Sequence, residues 1–144
     1  HQFGKNNYAE WKYDPDTKKY RRYIETLKAN DVVEMIPLVD RVTDEQLQFS
    51  NVIVMLVHIE TLHHDDTLHE FEILDKTGRA IIFRDGMMYD VTYQSGHNTP
   101  IQFLDKEGNP FELQPGNTWI HITGSFTTLT EKSPGVYYSK IGLP

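Results

Sequence analysis

The densest set of side chains that could do chemistry is a run of histidines and acids in the middle of the chain. It contains His58, His63, His64, Asp65, Asp66 and His69. Imidazole and carboxylate groups are ligands that zinc accepts, and three of them with a water would make a catalytic site. The spacing matches no zinc motif, such as two histidines one helical turn apart. The sequence therefore favours a solvated loop and no cofactor. His63, His64 and His69 are the candidate ligands of the alternative, a metal site.

Acidic side chains near turn sequences are the second chemical possibility. A glycoside hydrolase needs two carboxylates that face each other across a cleft, roughly 5 Å or 6.5–9.5 Å apart. The candidates are Asp85, Asp90, Asp105 and Glu112. Asp85 and Asp105 stand in turn sequences, where aspartate commonly accepts hydrogen bonds from nearby backbone N–H groups. A structural role is therefore favoured over an enzymatic one. The chain also lacks a nucleophile elbow, a phosphate-binding loop and a dinucleotide fingerprint.

Aromatic residues near the start of the chain are the third possibility. They are Tyr8, Trp11, Tyr13, Tyr20 and Tyr23. Tyr and Trp supply rigid, amphipathic contact area, so an aromatic face here could bind a sugar ring or a partner protein. We take Trp11 and Tyr20 as the candidate ligand-binding residues of that face. The alternative is that these rings anchor a hairpin to the core through cross-strand pairs. Trp119, in a later apolar segment, is expected to be a core residue.

Composition excludes several classes of function. The chain has 144 residues, which fits one domain, with 14 basic and 21 acidic residues and a net charge of −7. This balance argues against non-specific binding to nucleic acid or to an anionic membrane, since both require basic surfaces. There is no cysteine, so disulfides and thiolate chemistry are excluded. No run of about 18 apolar residues is present, so no transmembrane segment is expected.

The elements that must position these side chains are predominantly β-strands. Residues 14–18 (Asp-Pro-Asp-Thr-Lys) have turn chemistry and separate two aromatic-rich segments, which predicts a β-hairpin. Residues 52–57 are apolar at every position, which indicates a central strand covered on both faces. Residues 74–78 and 104–108 share the pattern Leu-Asp-Lys-x-Gly, which is typical of hairpins with a bulge.

One short helix is expected near residues 43–50, because Thr43 and Gln46 have the spacing of a capping box. The predicted fold is mainly β. It is an antiparallel meander, a curved sheet or a partly open barrel, with about eight or nine strands. We expect residues 1–123 to form a single β-rich domain. Residues 124–144 are expected to be a C-terminal tail or an edge strand.

Several segments, in order and with their spacing, are similar to one known family. They are Tyr13-Asp14-Pro15-Asp16-Thr17 with Tyr20-Arg21-Arg22, Asp40-Arg41-Val42-Thr43-Asp44-Glu45-Gln46-Leu47 leading into Asn51-Val52-Ile53-Val54, Gly78-Arg79-Ala80, Phe83-Arg84-Asp85-Gly86, Thr99-Pro100-Ile101-Gln102-Phe103 and Leu113-Gln114-Pro115-Gly116-Asn117-Thr118-Trp119-Ile120. From Tyr8 to Ile122 the chain thus resembles the C-terminal domain of the YerB-like lipoproteins, a bacterial family of unknown function. Two positions depart from the family pattern. The family usually has a second glycine just before Gly78, and a tryptophan where Tyr93 stands.

The resemblance implies an extracytoplasmic protein, anchored to the cell membrane by a lipid on an N-terminal cysteine that this chain does not contain. It also implies that a larger N-terminal domain precedes His1 and is its partner. It implies no activity. The leading hypothesis is therefore a non-enzymatic binding or interaction module of the bacterial cell envelope, whose further partner is an envelope protein or glycan. The alternatives are a hydrolase of cell-wall polymers and a purely structural support for the N-terminal domain.

Overall fold

The computed structural model describes residues 8–28, 32–61 and 68–140, and these residues form twelve strands in three sheets. The strands are β1 (Ala9–Asp14), β2 (Lys19–Leu27), β3 (Val33–Pro37), β4 (Gln48–Phe49), β5 (Asn51–Thr61), β6 (His69–Glu72), β7 (Thr77–Arg84), β8 (Met87–Gly96), β9 (Thr99–Leu104), β10 (Thr118–Gly124), β11 (Thr128–Ser133) and β12 (Val136–Lys140). The prediction of a mainly β fold is confirmed.

The central sheet has the strand order β10-β5-β7-β8-β9, and β6 pairs with the far end of β5. The predicted central strand is confirmed as β5, whose apolar side chains alternate between two clusters. Ile53, Met55 and Val57 enter the larger cluster on one face, while Val54 and Leu56 enter the smaller cluster on the other. Burial on both faces explains why this segment is apolar at consecutive positions rather than at alternate ones.

The pairing of β10 with β5 is parallel, whereas every other strand pair in the described residues is antiparallel. The buried side chain of Asn51 bonds to residues at and just before the start of β10. Its amide nitrogen donates to the Gln114 carbonyl (2.8 Å) and to the Thr118 hydroxyl (3.1 Å), and its oxygen accepts from the Gln114 N–H (2.9 Å). One side chain therefore holds the long connection after β9 against the beginning of β5.

The ring of Tyr93 lies against Gly78, its cross-strand partner on β7. A methyl group at Gly78 would lie 2.6 Å from the Tyr93 Cε1 atom and 2.9 Å from its hydroxyl oxygen. Tyr93 is only 2 % exposed, so its ring has little room to move away. This contact gives a physical reason for glycine at position 78.

We therefore expect Gly78→Ala to lower the free energy of unfolding by about 1–3 kcal/mol, because the ring must shift within a packed core. Urea denaturation measures the loss, with Thr77→Ala, an exposed neighbour on the same strand, as the control. In a Tyr93→Leu background the same glycine substitution should cost much less. An equal cost in both backgrounds would contradict the steric explanation.

The N-terminal sheet confirms the predicted hairpin. β1 and β2 pair through the register Tyr13↔Tyr20, and the Asp14 carboxylate accepts hydrogen bonds from the N–H groups of Asp16 and Thr17 in the turn. On its other edge β2 pairs first with β4 and then with β3. β2 therefore lies between β1 on one edge and β4 with β3 on the other, and these three neighbours come from different parts of the sequence.

The predicted helix near residues 43–50 is wrong. The Asp40 carboxylate accepts a hydrogen bond from the N–H of Thr43 (3.0 Å), so the turn is closed from upstream. The side chain of Gln46 does not fold back onto a helix start but donates to the Arg22 carbonyl (2.9 Å). Local capping chemistry was outweighed by pairing with β2, and the segment ends in the short strand β4.

The predicted count of eight or nine strands was too low, and none of the three sheets closes into a barrel over the described residues. Short strands account for part of the difference, since β4 has 2 residues and β6 has 4. Within the segment expected as a tail or edge strand, β11 and β12 form a hairpin. Leu129 packs against the smaller apolar cluster, and the ring of Tyr137 lies 5.5 Å from that of Phe83. The boundary at residue 123 stays a prediction.

No helix long and apolar enough to cross a membrane is found in the part of the chain that the structure describes.

Candidate functional site

An arginine and four aromatic side chains meet between the N-terminal sheet and the central sheet. We call them the Arg22 cluster: Arg22, Trp11, Phe49, Trp119 and His121. The β1–β2 register places Trp11 directly opposite Arg22. Trp119 and His121 are two residues apart on β10, so both point to the same face of the central sheet. Three distant segments thus contribute to one cluster.

The guanidinium of Arg22 lies on the indole rings. Its central carbon is 3.8 Å from the ring centroid of Trp119 and 5.4 Å from that of Trp11. The two indoles are 5.6 Å apart, and the ring of Phe49 packs edge-on against Trp119 at 5.3 Å. The negative faces of aromatic rings attract a cation, so this stacking offsets part of the cost of removing the guanidinium from water.

His121 is neutral within the cluster. The Trp11 Nε1–H donates a hydrogen bond to His121 Nε2 (3.1 Å), which requires an unprotonated nitrogen. Burial, and secondarily the positive charge of Arg22, lowers the pKa of His121 from 6.5 to about 4. His121 therefore adds no charge to the cluster at neutral pH.

The charge of Arg22 has no carboxylate partner among the residues that the structure describes. Three other arginines do have one: Arg21 pairs with Asp14, Arg79 with Asp90 and Arg84 with Asp85. Moreover, Arg22 Nε and Trp119 Nε1 are buried and have no hydrogen-bond acceptor within the described part of the chain. Partial burial lowers the pKa of Arg22. The arrangement can therefore accept an anionic group or another hydrogen-bond acceptor.

The two sequence-predicted ligand-binding residues have different surroundings. Tyr20 is 5 % exposed, and its hydroxyl accepts a hydrogen bond from the Gly86 N–H (3.0 Å). Burial raises the pKa of the Tyr20 hydroxyl. Trp11 is partly exposed and belongs to the Arg22 cluster. That these two residues contact a ligand stays a prediction, and Trp11 is the better placed of them. Trp119, expected in the core, is also partly exposed.

The aromatic residues of the predicted face do not all lie on the same side of the hairpin. Alternation along β1 and β2 directs Trp11, Tyr13 and Tyr20 to one side of the hairpin and Tyr23 to the other. Tyr23 receives the Lys12 ammonium at 4.6 Å from its ring centroid. The predicted aromatic face is therefore divided between the two sides of the hairpin.

The outer edge of β10 is the second notable feature next to the Arg22 cluster. Among the residues that the structure describes, β10 is the last strand of the central sheet and pairs with β5 alone. The Ser125 N–H donates to the Val57 carbonyl, and alternation then directs the N–H and C=O groups of Thr118, Ile120 and Ile122 away from β5. The side chains of Ile120 and Ile122 are 42 % and 46 % exposed. β10 contains no charged residue and no proline.

The histidine loop falls largely outside the described residues, which exclude 62–67 and therefore both His63 and His64. His69 begins β6, where its Nδ1 lies 3.3 Å from the Thr61 hydroxyl, and His58 is exposed on β5. The described ranges contain no group of three or more His, Asp or Glu side chains that could hold a metal ion.

Three of the four candidate carboxylates, Asp85, Asp90 and Asp105, make structural contacts. Asp90 receives two hydrogen bonds from Arg79, both 2.9 Å, and these lower the pKa of its carboxyl. Asp105 caps its own turn by accepting from the Asn109 N–H at 2.8 Å, which also lowers its pKa. A general acid needs a raised pKa, so neither residue suits that role. Asp85 adopts a left-handed turn conformation (φ 52°), as its sequence context indicated.

A cleft of about 360 Å³ opens where β5 leaves β7 and joins β6. Its charged lining includes Lys76, Glu72 and Arg79. Lys76 pairs with Glu72 at 2.8 Å, and Arg79 pairs with Asp90. These charges already have partners of opposite sign. The cleft is therefore a weaker candidate than the Arg22 cluster for binding a charged ligand.

Comparisons with known proteins agree with the fold and the motifs. The crystal structure of the YerB protein from Bacillus subtilis matches with a TM-score of 0.64 and 22 % identity, over 81 % of this chain and 36 % of that chain. At this identity the likeness shows the fold alone, and the chain spans about a third of that protein. No curated protein matches. The family model described as "Protein of unknown function (DUF3048) C-terminal domain" matches residues 1–120. The chain therefore belongs to this family, the YerB-like C-terminal domains that its motifs indicated.

Proposed function

We propose that this domain is a non-enzymatic interaction module of a bacterial cell-envelope lipoprotein, and that the outer edge of β10 is its binding surface. The observation that carries the proposal is the chemistry of this edge. Natural edge strands are usually protected by a charged side chain, a proline or a bulge. β10 has no charge and no proline, and it presents two half-exposed isoleucines, Ile120 and Ile122. A strand of this composition is typical of a sheet interior. The envelope location rests on the resemblance of the motifs to the YerB-like lipoproteins.

The occupant that we propose is an extended segment of the polypeptide that precedes this domain. Two observations support this choice over a separate protein. The family is one of C-terminal domains, and the chain covers 36 % of YerB, so relatives carry much additional chain. In addition, Trp11 on β1 donates a hydrogen bond to His121 on β10, so the first described strand of the domain lies next to β10. A segment tethered there has a high effective concentration and needs little intrinsic affinity.

Hydrogen exchange of backbone amides tests this proposal. The protein would be expressed with the polypeptide that its gene encodes before His1, and compared with the 144-residue chain. We expect the amides of Ile120 and Ile122 to exchange at least tenfold more slowly in the longer protein, because a paired strand protects them. The amides of Thr130 and Tyr138, in the β11–β12 hairpin, should not change. Equal exchange of the β10 amides in both proteins, or a gene that encodes no preceding domain, would overturn the proposal.

A charge on the edge gives a second test. Ile122→Lys should release the preceding segment, since an inserted lysine is a common protection of edge strands. It should change the stability of the isolated domain by no more than about 0.5 kcal/mol, because the side chain is half exposed. The matched control is Ile101→Lys, which places the same charge at a 38 % exposed isoleucine on β9, the opposite edge strand. Limited proteolysis of the longer protein reports the release, and equal cleavage in both variants would contradict it.

A further inference from the structure

In the Arg22 cluster the guanidinium is partly removed from water and has no carboxylate partner among the described residues. The guanidinium is stacked on two indoles. Cation–π contacts supply part of the lost hydration, but they satisfy no N–H donor. The unpaired Nε of Arg22 and the unpaired Nε1 of Trp119 belong to two side chains in direct contact. Arg21 and Arg84 also have a buried Nε without an acceptor, yet both pair with a carboxylate, so the feature that distinguishes Arg22 is the absence of a carboxylate partner among the described residues.

The position of the cluster relates it to the edge of β10. Trp119 and His121 point to the face of β10 opposite to Ile120 and Ile122. A segment that pairs along the outer edge must present alternate side chains to these two faces. On one face its side chains would cover the isoleucines. On the other face they would reach the neighbourhood of Trp119, where the guanidinium of Arg22 lies.

We infer that the segment bound along β10 carries an acidic side chain whose carboxylate pairs with Arg22. This inference rests on the proposed function and adds the chemistry of the partner: apolar residues on one face and a carboxylate on the other. A carboxylate suits the site because the cluster contains one positive charge and a neutral His121. It also accepts several N–H donors at once, as the planar guanidinium requires. The chain has a net charge of −7, so attraction of an acidic segment must be local to Arg22.

Two synthetic peptides separate this inference from the proposed function. Both are seven residues long, capped at both ends, and alternate valine with a second residue, which is glutamate in one and glutamine in the other. NMR titration of the 144-residue chain measures their dissociation constants. We expect both peptides to shift the amides of Ile120 and Ile122. We also expect the glutamate peptide to bind at least tenfold more tightly, because only it compensates the charge of Arg22.

Arg22→Met is the decisive variant. It should reduce the advantage of the glutamate peptide to less than twofold and leave the affinity of the glutamine peptide unchanged. The thermal midpoint should stay within about 2 °C of the wild type or rise, because the variant removes a partly buried charge that has no carboxylate partner among the described residues. The control is Arg41→Met, which removes the same charge from an exposed position outside the cluster and should retain the advantage. Arg22→Lys keeps the positive charge but lacks the planar guanidinium, so it should retain part of the affinity advantage of the glutamate peptide.

The possible outcomes distinguish the two proposals. If neither peptide binds, edge pairing fails and the role of Arg22 fails with it. If both bind with equal affinity, or if the advantage survives Arg22→Met, the role of Arg22 is wrong while edge pairing stands. Loss of the fold in Arg22→Met would show that the guanidinium is a structural group of the free domain, and this too would overturn the inference.

Discussion

Replacement of Asn51 by aspartate is expected to lower the free energy of unfolding by about 3 kcal/mol or more. Asn51 is fully buried, and its amide nitrogen donates to the carbonyl of Gln114 and to the hydroxyl of Thr118. An aspartate has nearly the same shape, but it turns an acceptor oxygen toward two other oxygens. The carboxyl must then either bury its charge or take up a proton. Both choices cost free energy at neutral pH: the charged carboxylate has no donor for Gln114, and the protonated carboxyl regains one donor only after its pKa has been raised far above the ordinary value.

Urea denaturation at neutral pH measures this loss, with Asn117→Asp as the matched control. Asn117 precedes β10, but its side chain is exposed. Its substitution changes the net charge by the same amount and should cost no more than about 0.5 kcal/mol. In Asn51→Asp the backbone amide of Trp119 should also exchange faster with solvent, because the hydrogen bonds from the Asn51 side chain no longer hold β10 against β5. Equal unfolding midpoints for the two variants would show that Asn51 is not the link between these strands.

Asn51 also illustrates why the parallel pair could not be predicted. Residues 52–57 could be identified as a buried strand because a strand covered on both faces has apolar residues at consecutive positions, which is a local pattern in the sequence. The turn at residues 14–18 was equally local, since Asp14 bonds to N–H groups two and three residues away. The parallel direction of β10 beside β5 produces no such local pattern in the sequence. It depends on the path of the connection through Gln114, which is 63 positions from its partner Asn51.

The segment near residues 43–50 shows how a local signal can mislead. Thr43 and Gln46 have the spacing of a capping box, and no pattern in the segment opposes a helix. The competing contacts come from outside it. Asp40 closes the turn from upstream, and Arg22 offers a carbonyl to the side chain of Gln46. Pairing with β2 satisfies backbone groups that a single helical turn would leave open.

The Arg22 cluster was predicted only in part. Trp11 was chosen as a binding residue from its position on the hairpin, and the register that pairs Tyr13 with Tyr20 also pairs Trp11 with Arg22. That signal was available from the turn alone. His121 was not predicted, because it lies 110 positions from Trp11 and their hydrogen bond depends on how the two sheets pack. Two residues apart on one strand, Trp119 and His121 must share a face, but the sequence contains no signal for which sheet covers that face.

Acidification is expected to destabilise the domain through His121 by about 2–3 kcal/mol between pH 6.5 and pH 4. In the unfolded chain this imidazole takes up a proton near its ordinary pKa of 6.5, whereas in the folded domain its pKa is about 4. Between these values the unfolded state binds more protons, so the free energy of unfolding falls as the pH falls. Above pH 6.5 the histidine is neutral in both states and has no effect. Below pH 4 it is charged in both, and the loss is complete.

His121→Gln isolates this contribution, because its amide oxygen can still accept from Trp11 but cannot titrate. The difference in unfolding free energy between wild type and variant should change by about 2–3 kcal/mol across the window and stay constant above it. Carboxylates that also titrate at low pH are common to both proteins and cancel in the difference. Arg22→Met should make the wild-type dependence shallower without abolishing it, because burial, the larger cause, remains. A difference that does not vary with pH would mean that His121 has the same pKa in the folded and the unfolded protein, which would contradict the effect of burial described for the cluster.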